Sequence, residues 1–208
     1  MNAGLPDITV VVTGVANLAS VLAAWRRLGV TPHVTEDPDE VRRADRVELP
    51  GVGSFGAAME RLRATGLDAA LSERVDAGRP TLAICVGLQV LCDASEESPG
   101  VTGLGRVPGA VARFPDGVRV PQFGWNRVEA PAGGPLESGY AYFANSYRLP
   151  VAPAGWTPAI TDHGGPFASA LWRGDVLACQ FHPELSGAWG LGMLSRWIRG
   201  EVALGGDR

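Results

Sequence analysis

Residues 81–92 read Thr-Leu-Ala-Ile-Cys-Val-Gly-Leu-Gln-Val-Leu-Cys. The first four form a short apolar run that reads as a buried strand, and the rest reads as a helix with no loop between them. Cys85 falls on the junction. A strand that turns abruptly into a helix lifts the corner side chain above the sheet. It also aims the first free helix amides, that of Val86 among them, at whatever is bound there. The positive helix terminus lowers the pKa of a thiol and stabilises an oxyanion.

Outward from this corner, strand and helix patterns alternate. Residues 8–13, 31–35 and 46–49 read as strands, the last ended by Pro50 and Gly51. Helical spacing runs from an N-cap at Asn17 to Leu28, closed by Gly29, then over 39–43, 56–64 and 67–77. Short connections between such elements predict a parallel sheet covered on both faces. After Cys92 the pattern changes to short strands with Gly and Pro turns over 100–127, expected to be antiparallel. Further strands are expected at 141–143, 168–172 and 176–181, and a closing helix at 189–198. The expectation is α/β: one domain over 1–208, with a mixed, mostly parallel sheet flanked by helices and an antiparallel extension.

Composition narrows the chemistry. The chain has 208 residues, 46% hydrophobic and 19% charged, enough for one sizeable core. A net charge of −4 argues against nucleic acid as a partner. No apolar run reaches membrane-spanning length, and the first ten residues lack the pattern of a signal peptide, so a cytoplasmic location is expected. All basic residues are arginine, which excludes a Schiff-base lysine and a Walker phosphate loop. Three scattered cysteines and three scattered histidines offer no metal-ligand cluster, and no cofactor is expected.

Among the nucleophile candidates, Cys92 and Cys179 have no comparable setting and read as structural. Gln180-Phe181-His182-Pro183-Glu184 supplies the partners that Cys85 needs. Side chains two apart on an extended segment share a side. Glu184 is thus expected to orient the imidazole of His182 while its other nitrogen faces a thiol. His33 and His163 read as surface residues. Gly51-Val52-Gly53-Ser54-Phe55-Gly56 matches G-x-G-x-x-G, with Glu73 further on, which suggests a dinucleotide site. Pro50 and the helical setting of Glu73 weigh against that. A backbone loop whose amides approach a small polar group beside Cys85 fits better, and a simple tight turn remains an alternative. Trp125 stands apart from the other tryptophans, which read as core.

Taken together, L-P-G-V-G-S-F (49–55), I-C-V-G-L-Q-V-L (84–91), S-E-E (95–97), P-Q-F-G-W-N (121–126), Y-F-A-N-S-Y (142–147) and Q-F-H-P-E-L-S-G (180–187) resemble the glutamine amidotransferase subunits of imidazole glycerol phosphate synthases. The elbow and the H-P-E motif are common to all triad-type glutamine amidotransferases. The P-G-V-G, G-W-N and N-S-Y segments point to this subunit. The resemblance implies a flavodoxin-like class I amidotransferase fold. It implies that Cys85 attacks L-glutamine, His182 moves protons and Glu184 holds His182. It implies an oxyanion hole from Gly51, Val52 and Val86, and glutamine-binding positions at Gly53, Gln89, Glu97, Ser146 and Tyr147. Ammonia would pass to a (β/α)₈-barrel cyclase subunit in a heterodimer of histidine biosynthesis. Asn17, Trp125, Asn126, Tyr142 and Asn145 would lie towards that partner.

Three positions depart from the family pattern. Residues 12–17 read V-T-G-V-A-N where D-Y-G-x-G-N is usual, Asn145 stands where histidine is frequent, and Leu185 where lysine is common. These bear on regulation and leave the three reacting residues untouched. Two other readings are an amidotransferase serving a paralogous barrel, and a binding subunit without turnover. Glutaminase activity that ignores histidine-pathway nucleotides marks the first, and a Cys85 inert to a glutamine-analogue electrophile marks the second.

Overall fold

A computed structural model describes residues 6–12 and 17–201 of the chain. In chain order the elements are β1 (Thr9–Val11), α1 (Leu18–Arg27), β2 (His33–Thr35), α2 (Pro38–Arg43), β3 (Val47–Gly51), α3 (Phe55–Thr65), α4 (Leu67–Asp76), β4 (Thr81–Cys85) and α5 (Val86–Leu91). They continue with β5 (Cys92–Ser95), β6 (Val107–Arg113), β7 (Gln122–Val128), β8 (Gly139–Asn145), β9 (Tyr147–Arg148), β10 (Thr157–Asp162), β11 (Pro166–Arg173) and β12 (Val176–Cys179). A 3-10 turn at Pro183–Leu185 leads into α6 (Gly187–Ile198).

The central sheet has seven strands in the order β10-β11-β12-β4-β3-β1-β2. Strands β12, β4, β3, β1 and β2 are parallel, while β10 and β11 add an antiparallel edge. The expected mixed, mostly parallel sheet is therefore present. Strand β4 is buried at every residue, as a central strand covered on both faces must be. One core cluster joins Trp25, Leu82, Ile84, Leu177 and Trp197 on the α1/α6 side. The other joins Ala83, Leu88, Leu91, Leu171 and Ala178. Alternate residues of β4 and β12 divide between the two, following the two-residue period of a strand. Among the described residues no helix is long and apolar enough to cross a membrane.

Several local expectations are corrected. Strand β3 runs through Pro50 and Gly51 instead of ending at them, with Pro50 opposite Ile84 and Gly51 opposite Cys85. On its other side β3 pairs with β1 through Val47 and Glu48. Cys92 opens β5 instead of ending a helix. Of the strands expected to be antiparallel over 100–127, β6 pairs with β9 and β7 with β8 in that sense, while β6 also pairs with β5 in parallel. Asn17 occupies the N-cap position of α1 without a side-chain capping bond. Strand β12 stops at Cys179, short of Phe181. Most of the first-loop motif, residues 13–16, lies outside the described residues.

Candidate active site

The elbow begins with backbone strain. Cys85 has φ 55° and ψ −110°, and it is the one non-glycine among the described residues with positive φ. An L-residue in that region costs of order 1–3 kcal/mol and persists only where its surroundings enforce it. Here the surroundings are strand β3. A Cβ on Gly87 would lie 2.2 Å from the Leu49 carbonyl oxygen, and one on Gly51 would lie 2.7 Å from the Gly87 nitrogen. Glycine at both positions lets β3 and the first turn of α5 touch backbone to backbone, which holds the corner in place.

The Cys85 side chain opens into a cavity of about 270 Å³ lined by Val52, Gly53 and Val86 on one side and by His182 on another. Gln89, Glu97, Asn145, Ser146 and Tyr147 line the remainder. Residues drawn from β4, α5, β8 and the loop after β3 thus converge on one thiol. Gly51 does not line the cavity; it lies buried behind it, under Val86 and Gly87. A larger open groove of about 670 Å³ lies among Asp7, Thr31, His33, Glu40 and Asp45. It contains none of the residues singled out for chemistry.

His182 Nδ1 and Glu184 Oε1 are 2.8 Å apart, with side chains only 6% and 4% exposed. They do not share a side by strand alternation as expected. Pro183 starts a 3-10 turn directly after His182, and that turn brings the carboxylate back to the ring. Ser186 secures the turn: its Oγ donates to the His182 carbonyl at 2.6 Å and accepts from the Tyr142 amide at 2.9 Å. The His182 amide in turn donates to the Tyr142 carbonyl at 2.9 Å. Burial disfavours the imidazolium, but hydrogen bonds to Cys85 and Glu184 outweigh it and hold the His182 pKa up at about 10. His182 therefore joins the two, bonded to Glu184 and lining the same cavity as Cys85.

The other cysteines have no such partners. Burial pushes the Cys92 thiol up to about 12, and its Sγ donates to the Leu88 carbonyl. Cys179 is likewise raised by burial and lies against the Phe181 carbonyl. Gln180, which the sequence reading left without a role, donates from Nε2 to Cys85 Sγ at 3.5 Å and accepts from Gln89 Nε2 at 3.0 Å. Its place immediately after β12 and two residues before His182 was the available signal.

The glycine-rich stretch is not a nucleotide cradle. Ser54 caps α3 by accepting from the Ala57 amide. The Phe55 amide donates to Glu97 Oε2 at 2.7 Å and the Gly56 amide to Ser98 Oγ at 3.0 Å. The amides that would hold a phosphate are thus taken by the chain's own side chains, and Glu73 lies on α4 paired with Arg42.

Strands β7 and β8 form a separate hairpin in which Trp125 faces Tyr142. Trp125 is 58% and Phe123 69% exposed, and both rings pack edge-on against the half-buried Tyr142. Asn126 donates to the Asp162 carbonyl at 2.8 Å. Asn17 is exposed ahead of α1. Asn145 is not on the exposed face: it is buried in the cavity wall, where its Nδ2 donates to the Tyr147 carbonyl at 3.0 Å. His33 pairs with Glu40, and His163 packs on Phe114, both away from the cavity.

Comparison with known proteins places this geometry in context. Residues 23–112 match the family model of a CobB/CobQ-like glutamine amidotransferase domain. Imidazole glycerol phosphate synthase subunit HisH of Symbiobacterium thermophilum is 44% identical over 197 residues, covering 92% of this chain and 93% of that protein. The HisH subunit of Deinococcus radiodurans is 42% identical over 201 residues, covering 93% and 94%. A glutamine amidotransferase crystal structure superposes with a TM-score of 0.75 at 21% identity, covering 95% of this chain and all (100%) of the other. The PurLQS structure from Thermotoga maritima gives 0.72 at 17% identity, covering 95% and 99%. At those identities the structural likeness concerns the fold alone.

Proposed function

The chain belongs to the family of imidazole glycerol phosphate synthase subunit HisH, and from that premise we propose that its glutamine amidotransferase reaction runs on Cys85, His182 and Glu184. It is the glutaminase subunit of that synthase, in histidine biosynthesis. The observation that carries the assignment of residues is the strained Cys85 corner, which shares one cavity with the Glu184-bonded His182.

In the proposed reaction His182 takes the Cys85 proton and the thiolate attacks the side-chain amide carbon of L-glutamine. The negative oxygen of the tetrahedral adduct is met by the Val86 amide at the start of α5 and by the Gly51–Val52 loop. His182 returns the proton to nitrogen, ammonia leaves, and a γ-glutamyl thioester remains on Cys85. Water, deprotonated by His182, then hydrolyses the thioester to glutamate and frees the thiol. Glu184 keeps the ring oriented and balances the imidazolium. Gly53, Gln89, Glu97, Ser146 and Tyr147 hold the amino and carboxylate ends of glutamine.

We place the partner, a (β/α)₈-barrel cyclase subunit, against the exposed face of the β7–β8 hairpin around Trp125 and Tyr142, as a cytoplasmic heterodimer. Ammonia enters the barrel there to give imidazole glycerol phosphate and AICAR. Sealing the interface matters, because ammonia that reaches water is protonated and lost. The test is ammonia release from glutamine with and without the barrel subunit and its nucleotide ligand. Release is weak for the chain alone, rises with both, and is abolished in Cys85→Ala. Unchanged release in that variant would overturn the assignment.

A further inference from the structure

The glycine-rich stretch 51–56 is tied down at both ends. Upstream, the ladder of β3 with β4 fixes Gly51 opposite Cys85. Downstream, a turn after β5 clamps the start of α3. Glu97 Oε2 accepts from the Phe55 amide at 2.7 Å, and Ser98 Oγ accepts from the Gly56 amide at 3.0 Å. These are free amides at a helix N-terminus, where a carboxylate is favoured by charge as well as by the bond. The approach is close: a Cβ on Gly56 would lie 2.9 Å from Ser98 Oγ. Glycine at the last position of the motif thus admits the clamp. The clamp is itself anchored. The Glu97 amide donates to the buried Ser95 Oγ at 3.2 Å, and the Ser98 amide to the Ser95 carbonyl at 3.1 Å. Between them the Glu96 amide donates to the Val111 carbonyl of β6 at 2.9 Å.

Between the two anchors only Val52, Gly53 and Ser54 remain. Val52 and Gly53 line the cavity with Cys85, and so does the half-buried Glu97. One carboxylate therefore touches the helix that ends this loop and borders the space that glutamine would fill. We infer that Glu97 has two tasks: it meets the ammonium of glutamine and, with Ser98, it is a positioning residue for the Gly51–Val52 oxyanion loop. The inference rests on the placement of glutamine and of the oxyanion given above. A loop pinned at both ends keeps the Val52 amide where the tetrahedral oxygen will form. Released at its α3 end, the loop lets that amide drift, and a small misplacement is costly to the chemical step. Binding of glutamine loses nothing beyond the ammonium contact. The two tasks thus separate into effects on kcat and on KM.

The test measures glutamine hydrolysis by the full chain in complex with its cyclase subunit, for three variants. Glu97→Gln keeps an oxygen for the Phe55 amide and loses the charge. KM should rise about tenfold, the worth of one bond to a charged group, with kcat lowered no more than about twofold. Glu97→Ala loses both, so KM should rise as before and kcat should fall about tenfold as well. Ser98→Ala removes the second clamp bond and touches nothing in the cavity. Its kcat should fall about fivefold, as for one neutral hydrogen bond, with KM unchanged. Equal kcat for the two Glu97 variants overturns the inference, and so does a KM that Glu97→Gln leaves unchanged. If the Glu97 variants do not fold, Ser98→Ala decides, and an unchanged kcat overturns the inference. A wild type without any glutaminase activity would instead count against the assignment of Cys85, His182 and Glu184.

Discussion

Gly87 sits directly beneath the Leu49 carbonyl, so close that a methyl group would lie 2.2 Å from the oxygen. The contact is backbone against backbone, and neither side can swing away. It ties the first turn of α5 to strand β3 and thereby holds Cys85 at its strained φ.

Gly87→Ala should therefore damage stability and chemistry together. Overpacking of this kind costs about 1–3 kcal/mol, several degrees of melting temperature for a chain this size. The elbow can relieve the clash only by moving the thiol. kcat/KM should fall by roughly 100-fold, as for other misplacements of about 1 Å. Melting curves and glutaminase assays on the same preparation check both parts.

His182 binds its proton far more tightly folded, near 10, than a histidine in an unfolded chain, near 6.5. A raised folded pKa means stability that is present in full below about pH 6.5 and is lost as pH rises through 10. Glu48 acts in the same direction, its share being lost between the ordinary carboxyl range and about 8. The melting temperature should thus decline steadily from pH 6 to 10. Glu184→Gln keeps an acceptor for the ring but removes the charge. It should flatten that decline and lower kcat/KM by roughly 10²–10⁴-fold while the protein remains folded at pH 7.

Gln180 reaches the nucleophile and the substrate wall at once, through Cys85 Sγ and Gln89 Nε2. Gln180→Leu fills the same buried space without either bond. Each lost bond is worth about 1 kcal/mol, so kcat should fall and KM for glutamine should rise, each about fivefold. A change in kcat alone would mean that Gln89 holds its place unaided.

The exposed Trp125 has little to do with stability and a large apolar face to offer. Trp125→Ala should leave the melting temperature within a degree or two, as for exposed positions of about 0.5 kcal/mol effect. It should weaken binding of the cyclase subunit by about 2 kcal/mol, roughly thirtyfold. Titration calorimetry with the purified partner measures the second quantity.

Much of this molecule follows from local pattern. The run over residues 81–92 marks the strand, the corner and the helix because burial on both faces demands an unbroken apolar strand, and an elbow demands a small residue at 87. The alternation before it implies the parallel sheet, and the H-P-E motif supplies a base and its orienter at short range. Contacts between distant segments were not legible in this way. Pro50 lies inside a strand because the ladder of β3 with β4 continues past it, Pro50 opposite Ile84 and Gly51 opposite Cys85. Glu184 meets His182 through a 3-10 turn pinned by Ser186 and Tyr142, not through strand alternation. The sequence already weighs against a dinucleotide site at the glycine-rich loop, but it does not show that Glu97 and Ser98, some forty residues on, take the Phe55 and Gly56 amides. Gln180 acquires meaning only from Cys85 and Gln89, which the fold brings beside it. Side-chain period and backbone sterics act over a few residues and can be read along the chain. Burial, charge coupling and shared hydrogen bonds depend on which distant segments the packed sheet sets side by side.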